Sequence, residues 1–332
     1  MSTKVINSNK GVLNKSSSIY LDTLAQLSTR PQNKLDTNKL GQKVLLQKRA
    51  RSKAFTNGFI FDLIDLKSKL SKSYWSTYHC SSIILQDGNK ISSKYCNQRW
   101  CLTCNRIRTA KMINGYKEPL SNLKEPQFIT LTIPNVKAKY LKSTIEDMNN
   151  SLKAIRKNLK KTYKLELKGL RKYECTYNFK NDTYHPHFHL IIDSKEVGNQ
   201  LINLWLNKYP QASRKAQDIK PAQEDSIVEL CKYFTKVIAK DNDYNPKALD
   251  IMFRAVKGKR TFQPMGIKKE VSEDIDDIQS QEIYFKEPQV EIWQYEKTAY
   301  DWVSSQGETF TEYRPTKEDR KVINQEYKNL KQ

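Results

Sequence analysis

The sequence predicts an α+β fold: an antiparallel sheet with helices packed on it, plus a small zinc-binding segment. Three observations carry this. "PQFITLTIPN" (126–135) alternates Ile129, Leu131 and Ile133 with Thr130 and Thr132, the period of a half-buried strand, and Pro134 and Asn135 end it. "RKYECTYNF" and "PHFHLIID" read as two strands joined by the polar turn "KNDTY". Between these regions Leu141, Ile145, Met148, Leu152, Ile155, Leu159 and Tyr163 recur at spacings of four, three, four, three, four and four, one apolar face of a long helix.

The elements follow in order. Residues 1–40 are rich in Ser, Asn, Lys and Gln, lack periodicity, and read as a disordered basic tail. Residues 41–75 are helical, with Phe59, Leu63, Leu66 and Leu70 on one face. Residues 76–112 carry the clustered cysteines. Residues 113–270 hold the strands, the long helix and a second helix over Ile227–Lys240. In 271–332, "KEVSEDIDDIQSQE" is an acidic linker, and the tail beyond it, "IWQYEKTAYDW", is aromatic enough to dock on the rest. No internal repeat is present.

The chain has 332 residues, 38% of them hydrophobic, and a formal net charge of +22. Its pI is about 9.5 and its mean hydropathy −0.75. Such a charge points to a polyanionic partner, nucleic acid first. The long helix sharpens this, since residues 137–172 hold twelve Lys/Arg against three Asp/Glu. No run of apolar residues is long enough to span a membrane, and the N-terminus lacks the apolar core of a secretory signal. The expectation is a cytoplasmic protein whose six cysteines are reduced.

"YHPHFHLIID" (184–193) holds three of the four histidines. On a strand His187 and His189 point the same way, about 7 Å apart by twice the rise per residue, with Phe188 facing the core. His185 shares their parity, but Pro186 is expected to lift it out of the ladder. If the hairpin turns at residues 180–181, Glu174 lies across from His187. Two imidazoles and a carboxylate suit Mn²⁺, Mg²⁺ with waters, or Zn²⁺. A solvated or core pair of histidines is the plainer reading, weakened by how few histidines the chain has elsewhere.

"VELCKYFTKVIAK" (228–240) places Glu229, Lys232, Tyr233, Lys236 and Lys240 opposite an apolar face. Cations and a metal-bound phosphate would favour the Tyr233 phenolate, the attacking form. "CNQRWCLTCNRIR" supplies Cys96, Cys101 and Cys104, and Cys80 lies sixteen positions before Cys96. The C-x₂-C pair has zinc-knuckle spacing; four thiolates make a closed structural Zn²⁺ site, with His79 as a substitute ligand. Arg99, Arg106, Arg108 and Lys111 around it suit a DNA-facing knuckle. Cys175 and Cys231 read as core residues.

"FITLTIPN", "HPHFHLIID" and "KYFTK", in this order, resemble the three motifs of HUH endonucleases. They are most similar to the one-tyrosine replication initiators (Rep) of rolling-circle plasmids, over residues 75–270. The resemblance implies a sheet of about five strands, His187 and His189 as ligands of a catalytic Mn²⁺ or Mg²⁺ with Glu174 as third ligand, and Tyr233 as nucleophile. It implies Lys236 holding the scissile phosphate and Glu229 activating water for a terminating cleavage. After the tyrosine motif, residues 248–269 resemble the corresponding segment of these initiators, with Lys257, Lys259 and Arg260 as backbone contacts beside Lys232. The expected partners are single-stranded and origin double-stranded DNA, a host helicase and polymerase, and a second copy of the chain. Three other readings stay open: a one-tyrosine HUH transposase or relaxase, an inactive zinc-binding DNA-binding regulator, and an ordinary metallohydrolase. The absence of a Walker-type loop agrees with strand transfer that needs no ATP.

Overall fold

The computed structural model describes residues 39–87, 90–223, 225–231, 245–270 and 290–324. Residues 1–38 of the expected basic tail, the acidic linker over 271–289, and Lys232, Tyr233 and Lys236 lie outside the described residues. The described helices are α1 (Lys39–Asp65), α2 (Ser71–Tyr78), α3 (Leu102–Ser121), α4 (Ala138–Thr162), α5 (Lys195–Lys208), α6 (Ser226–Cys231), α7 (Pro246–Val256) and α8 (Lys317–Ile323). The strands are β1 (Ile83–Asp87), β2 (Lys90–Ser93), β3 (Pro126–Thr132), β4 (Gly169–Asn178), β5 (Thr183–Asp193), β6 (Asp218–Pro221), β7 (Phe262–Met265), β8 (Glu291–Glu296) and β9 (Asp301–Val303).

Five strands form one sheet in the order β6-β3-β5-β4-β7, every pair antiparallel. Strand alternation gives it two unlike faces. Ile129, Leu131, Phe188, Leu190 and Ile192 turn to one side and join the main core under α4 and α5. All six of Leu141, Ile145, Met148, Leu152, Ile155 and Leu159 are buried there, as their spacing predicts. Burial of each is worth about 1.5–3 kcal/mol, so packing rather than intrinsic propensity holds α4. Trp205 of α5 donates its indole N–H to the Thr132 carbonyl at 2.9 Å, which fixes α5 against the end of β3. β4 begins at Gly169 (φ +145°), where a Cβ would meet the Ile191 carbonyl oxygen at 2.0 Å. Any other residue there would push β4 off β5.

Pro186 does not lift His185 out of the ladder: β5 stays paired with β4 through Cys175↔Pro186 and Thr176↔His185. The reason lies on the other flank. The N–H and C=O of Tyr184 both bond Val136, each at 2.8 Å, so residues of that parity face the β3 side. β3 has ended at Thr132, opposite His187. Pro186 therefore sits in the gap between Thr132 and Val136, where no partner needs its missing N–H.

A second antiparallel sheet, β2-β1-β8-β9, was not expected. Two of its strands, β8 and β9, come from the stretch read as a tail, and β8 pairs with β1 of the hairpin β1-β2 in the cysteine segment. Ile84, Trp293, Trp302 and Tyr313 pack with Ala50 and Ala54 of α1 into a second, smaller core. Trp302 donates to the Ser81 carbonyl at 2.7 Å, tying β9 to the residues just after Cys80. α8 is capped by Thr316 and Asp319, and Asp319 pairs with Arg51 of α1 at 2.8 Å. α3 runs across residues 112 and 113, so the cysteine segment and the sheet domain share one helix.

Candidate functional site

The sheet face opposite α4 and α5 carries Lys172 and Glu174 on β4, and His185, His187 and His189 on β5. Register brings them together, because Glu174 pairs with His187 and Lys172 with His189. The Nε2 atoms of His187 and His189 each lie 3.4 Å from Glu174 Oε2. Ligands held about 2.0–2.1 Å from a tetrahedral centre are about 3.4 Å apart, so these three atoms fit one divalent ion. Glu174, His187 and His189 form one of two groups of metal-competent donors among the described residues.

The ring nitrogens on the far sides are also occupied. His187 Nδ1 donates to the His185 carbonyl at 3.0 Å, so the neutral ring turns its Nε2 lone pair to the site, while the protonated ring donates from Nε2 to Glu174. His189 Nδ1 bonds Thr130 Oγ1 at 3.1 Å, across the β3–β5 pair. Lys172 Nζ donates to Glu174 Oε1, leaving Oε2 for the imidazoles. Burial alone would raise the Glu174 carboxyl. Hydrogen bonds from His187 and His189, and the Lys172 charge, outweigh it and hold the group well below the usual carboxylate range. His189 and Glu174 keep 21% and 19% of their side chains exposed, so the site is open on one side. Neither Lys172 nor Thr130 was singled out in the sequence, although alternation alone puts Lys172 on the face of Glu174.

Cys80, Cys96, Cys101 and Cys104 form the second donor group. All are free thiols. Cys80 and Cys96 lie 3.5 and 3.6 Å, Sγ to Sγ, from Cys104. A tetrahedron with Zn–S near 2.3 Å has edges of about 3.8 Å, close to these spacings. The local fold explains the gathering. Cys101 is the N-cap of α3 and its sulfur accepts from the Cys104 N–H, so C-x₂-C at a helix start places two sulfurs side by side. Cys80 and Cys96 accept the N–H groups of Cys96 and Gln98. Four packed sulfurs cannot all ionise without a cation: burial and the neighbouring thiols drive Cys101 up, while hydrogen bonds from Cys101, Cys104 and Cys80 drive Cys96 down. Burial pushes the nearby Lys53 ammonium down to about 8, against the upward pull of the cysteine sulfurs. A Cys₄ site holding a dication carries two net negative charges, and Lys53 sits where it balances part of them. His79 stacks on Trp75 and is not in the sulfur group.

The remaining residues fall into place unevenly. Glu229 is on α6, which packs against β5 and α3. Cys231, the last described residue before Tyr233, is buried, and its thiol is pushed up to about 12 by burial against the pull of Lys172. Lys172 on the His/Glu face is thus near the end of α6. Lys259 is drawn into an ion pair with Glu146. Arg99 donates to the Val256 carbonyl at 3.3 Å, and Arg108 to the Asn97 carbonyl at 2.8 Å, so both brace loops. Arg106 and Lys111 lie half-buried on α3, and Lys257 and Arg260 are exposed after α7.

A family model described as "Replication protein" matches residues 89–196, a span that holds Cys96, Cys101, Cys104, β3, Glu174, His187 and His189. A "Protein rep" of Staphylococcus aureus is 30% identical over 170 residues, 45% of this chain and 71% of that one. A "Protein rep" of Streptococcus pneumoniae is 26% identical over 201 residues, 53% of this chain and 62% of its own. One of Bacillus amyloliquefaciens is 26% identical over 219 residues, 54% of this chain and 64% of its own. No solved structure matches. With a relative at that identity aligned over more than two thirds of its length, and with the donor-bearing strands inside the matched span, this chain belongs to the replication protein (Rep) family.

Proposed function

We propose that the protein initiates rolling-circle replication of a plasmid by nicking single-stranded DNA at the origin with a tyrosine nucleophile of the HUH type. The observation that carries this reading is the Glu174–His187–His189 group. Three donor atoms converge on the open face of a sheet, with the far ring nitrogens of both histidines engaged, in a chain of the Rep family. When a divalent ion, Mn²⁺ or Mg²⁺, is bound there it supplies charge stabilisation to a phosphodiester's non-bridging oxygens.

The chain's own residues do the rest. Tyr233 gives up its phenolic proton, and its oxygen attacks the phosphorus. The P–O3′ bond breaks, and the leaving oxygen takes a proton to become a free 3′-OH. The phosphate stays on Tyr233 as a 5′-phosphotyrosine, which keeps the bond energy for rejoining the strand. Lys236 holds the scissile phosphate and Glu229 takes a proton from water in the terminating cleavage. Lys172 positions the Glu174 carboxylate. The sulfur group holds structural Zn²⁺, and Arg106 and Lys111 on the helix that it anchors present cations to duplex DNA. The 3′-OH serves a host polymerase behind a host helicase in the cytoplasm, with two copies of the chain acting at one origin. No helix among the described residues is long and apolar enough to cross a membrane.

The test is incubation of the full chain with a pool of single-stranded oligonucleotides and Mn²⁺, followed by mass spectrometry. The expected result is a nucleotide adduct on Tyr233 that Tyr233→Phe abolishes. Cleavage without an adduct would favour the metallohydrolase reading; no cleavage with retained sequence-specific binding would favour the regulator.

A further inference from the structure

A cavity of about 490 Å³ lies on the helix side of the large sheet, between α4, residues 259–260 and β7. Its lining carries five cationic side chains, Lys153, Arg156, Arg171, Lys259 and Arg260, and one acid, Glu146. Glu146 is taken by Lys259. Among the described residues no carboxylate pairs with the other four. Alternation along β4 sends Arg171 to the face opposite Lys172 and Glu174, so this cavity and the His/Glu site back onto each other through the sheet.

Arg171 is the decisive residue. It is 1% exposed. One terminal nitrogen donates to Asn149 Oδ1 and the other to the Arg260 carbonyl at 3.0 Å. Its Nε–H is buried with no partner. Its guanidinium lies 4.6 Å from the Phe188 ring centroid. Every one of these partners is neutral. A buried guanidinium without a counter-charge is costly, and burial lowers Arg171 only to about 10, so it stays charged at neutral pH. Lys153 and Arg260 are exposed and Arg156 half-buried, which places solvent-accessible cations around a buried one.

We propose that this cavity binds a small phosphate-bearing anion, with Arg171 as the buried counter-charge and Lys153, Arg156 and Arg260 around its mouth. The volume falls within the range of small-molecule sites, about 300–1,000 Å³. A planar guanidinium matches two oxygens of a phosphate at once. A terminal or free phosphate can reach a recessed floor. A diester within duplex DNA is flanked by sugars and is served by cations on the outer surface instead. The site is separate from the nicking chemistry and does not depend on it.

The test is calorimetric titration of the full chain with inorganic pyrophosphate at constant ionic strength. It is run in a His187→Ala/His189→Ala background, so that the opposite face cannot register binding. The expected result is saturable one-to-one binding, at least tenfold weaker in Lys153→Ala/Arg156→Ala and lost in Arg171→Met. The double variant alters only exposed or half-buried side chains, so it carries the test if Arg171→Met does not fold. Absence of saturable binding, or affinity unchanged in the double variant, overturns the proposal. So does a result in which only a 20-base-pair duplex binds and depends on Lys153 and Arg156, which would make this face a DNA track.

Discussion

The four sulfurs are packed in a shell of loop and helix start, whereas Glu174, His187 and His189 line an open face of a sheet. The first group draws together three separate segments: the residues just after α2, the loop before α3 and the first turn of α3. The second is built on two paired strands whose register already sets the distances. A shell that assembles chain segments ties its ion to folding. A face prearranged by a ladder leaves coordination positions for substrate and tolerates loss of the ion.

The largest effect expected from this contrast is on stability. Cys101→Ser should cost several kcal/mol and lower the melting temperature by about 5–10 °C, with loss of one zinc per chain by elemental analysis. An unchanged melting temperature would make the sulfur group a cluster of ordinary buried thiols. Next, His187→Ala/His189→Ala should keep the zinc and melt within about 2 °C of the parent, while nicking falls by about 10³-fold or more. If that variant unfolds instead, the two groups do not differ in kind. Thr130→Val removes the partner of His189 Nδ1 and should weaken Mn²⁺ binding by about tenfold, read by titration, without touching the zinc.

The smallest effect lies away from both groups. Burial would raise the Asp319 carboxyl, but the Arg51 guanidinium and the Tyr313 hydroxyl hold it below its ordinary value. A depressed carboxyl contributes stability that is present above its unfolded pKa, near 4, and lost as pH falls through the folded value. Arg51 is 43% exposed, so solvent screening limits the contribution to about 1 kcal/mol. Arg51→Ala should flatten the fall in melting temperature between pH 4 and pH 2; equal slopes in both proteins would remove Arg51 as the cause.

Much of the large sheet was legible because its information is local. The hairpin β4-β5 has a short turn, so its register, and with it the nearness of Glu174 to His187, follows from counting back from residues 180–181. The apolar stripe of α4 is equally plain. The second sheet was not legible, because β1 pairs with β8 some two hundred residues away, and neither strand is long enough to announce a period. Thr130 could be found only once β3 was set beside β5, and that pairing is non-local too. Three cations expected to face DNA also meet other protein groups: Lys259 meets Glu146, and Arg99 and Arg108 each meet a backbone carbonyl. Charge is visible in a sequence; which charges fold back on their own chain is not.

Pro186 leaves one more consequence. β5 is the middle strand of five, and its pairing toward β3 lapses only between Thr132 and Val136, a lapse spanned by Ile133, Pro134 and Asn135. A proline costs a strand least where the ladder asks nothing of its nitrogen. Pro186 therefore interrupts neither neighbour, and His187, next in the chain, keeps the register that sets it across from Glu174.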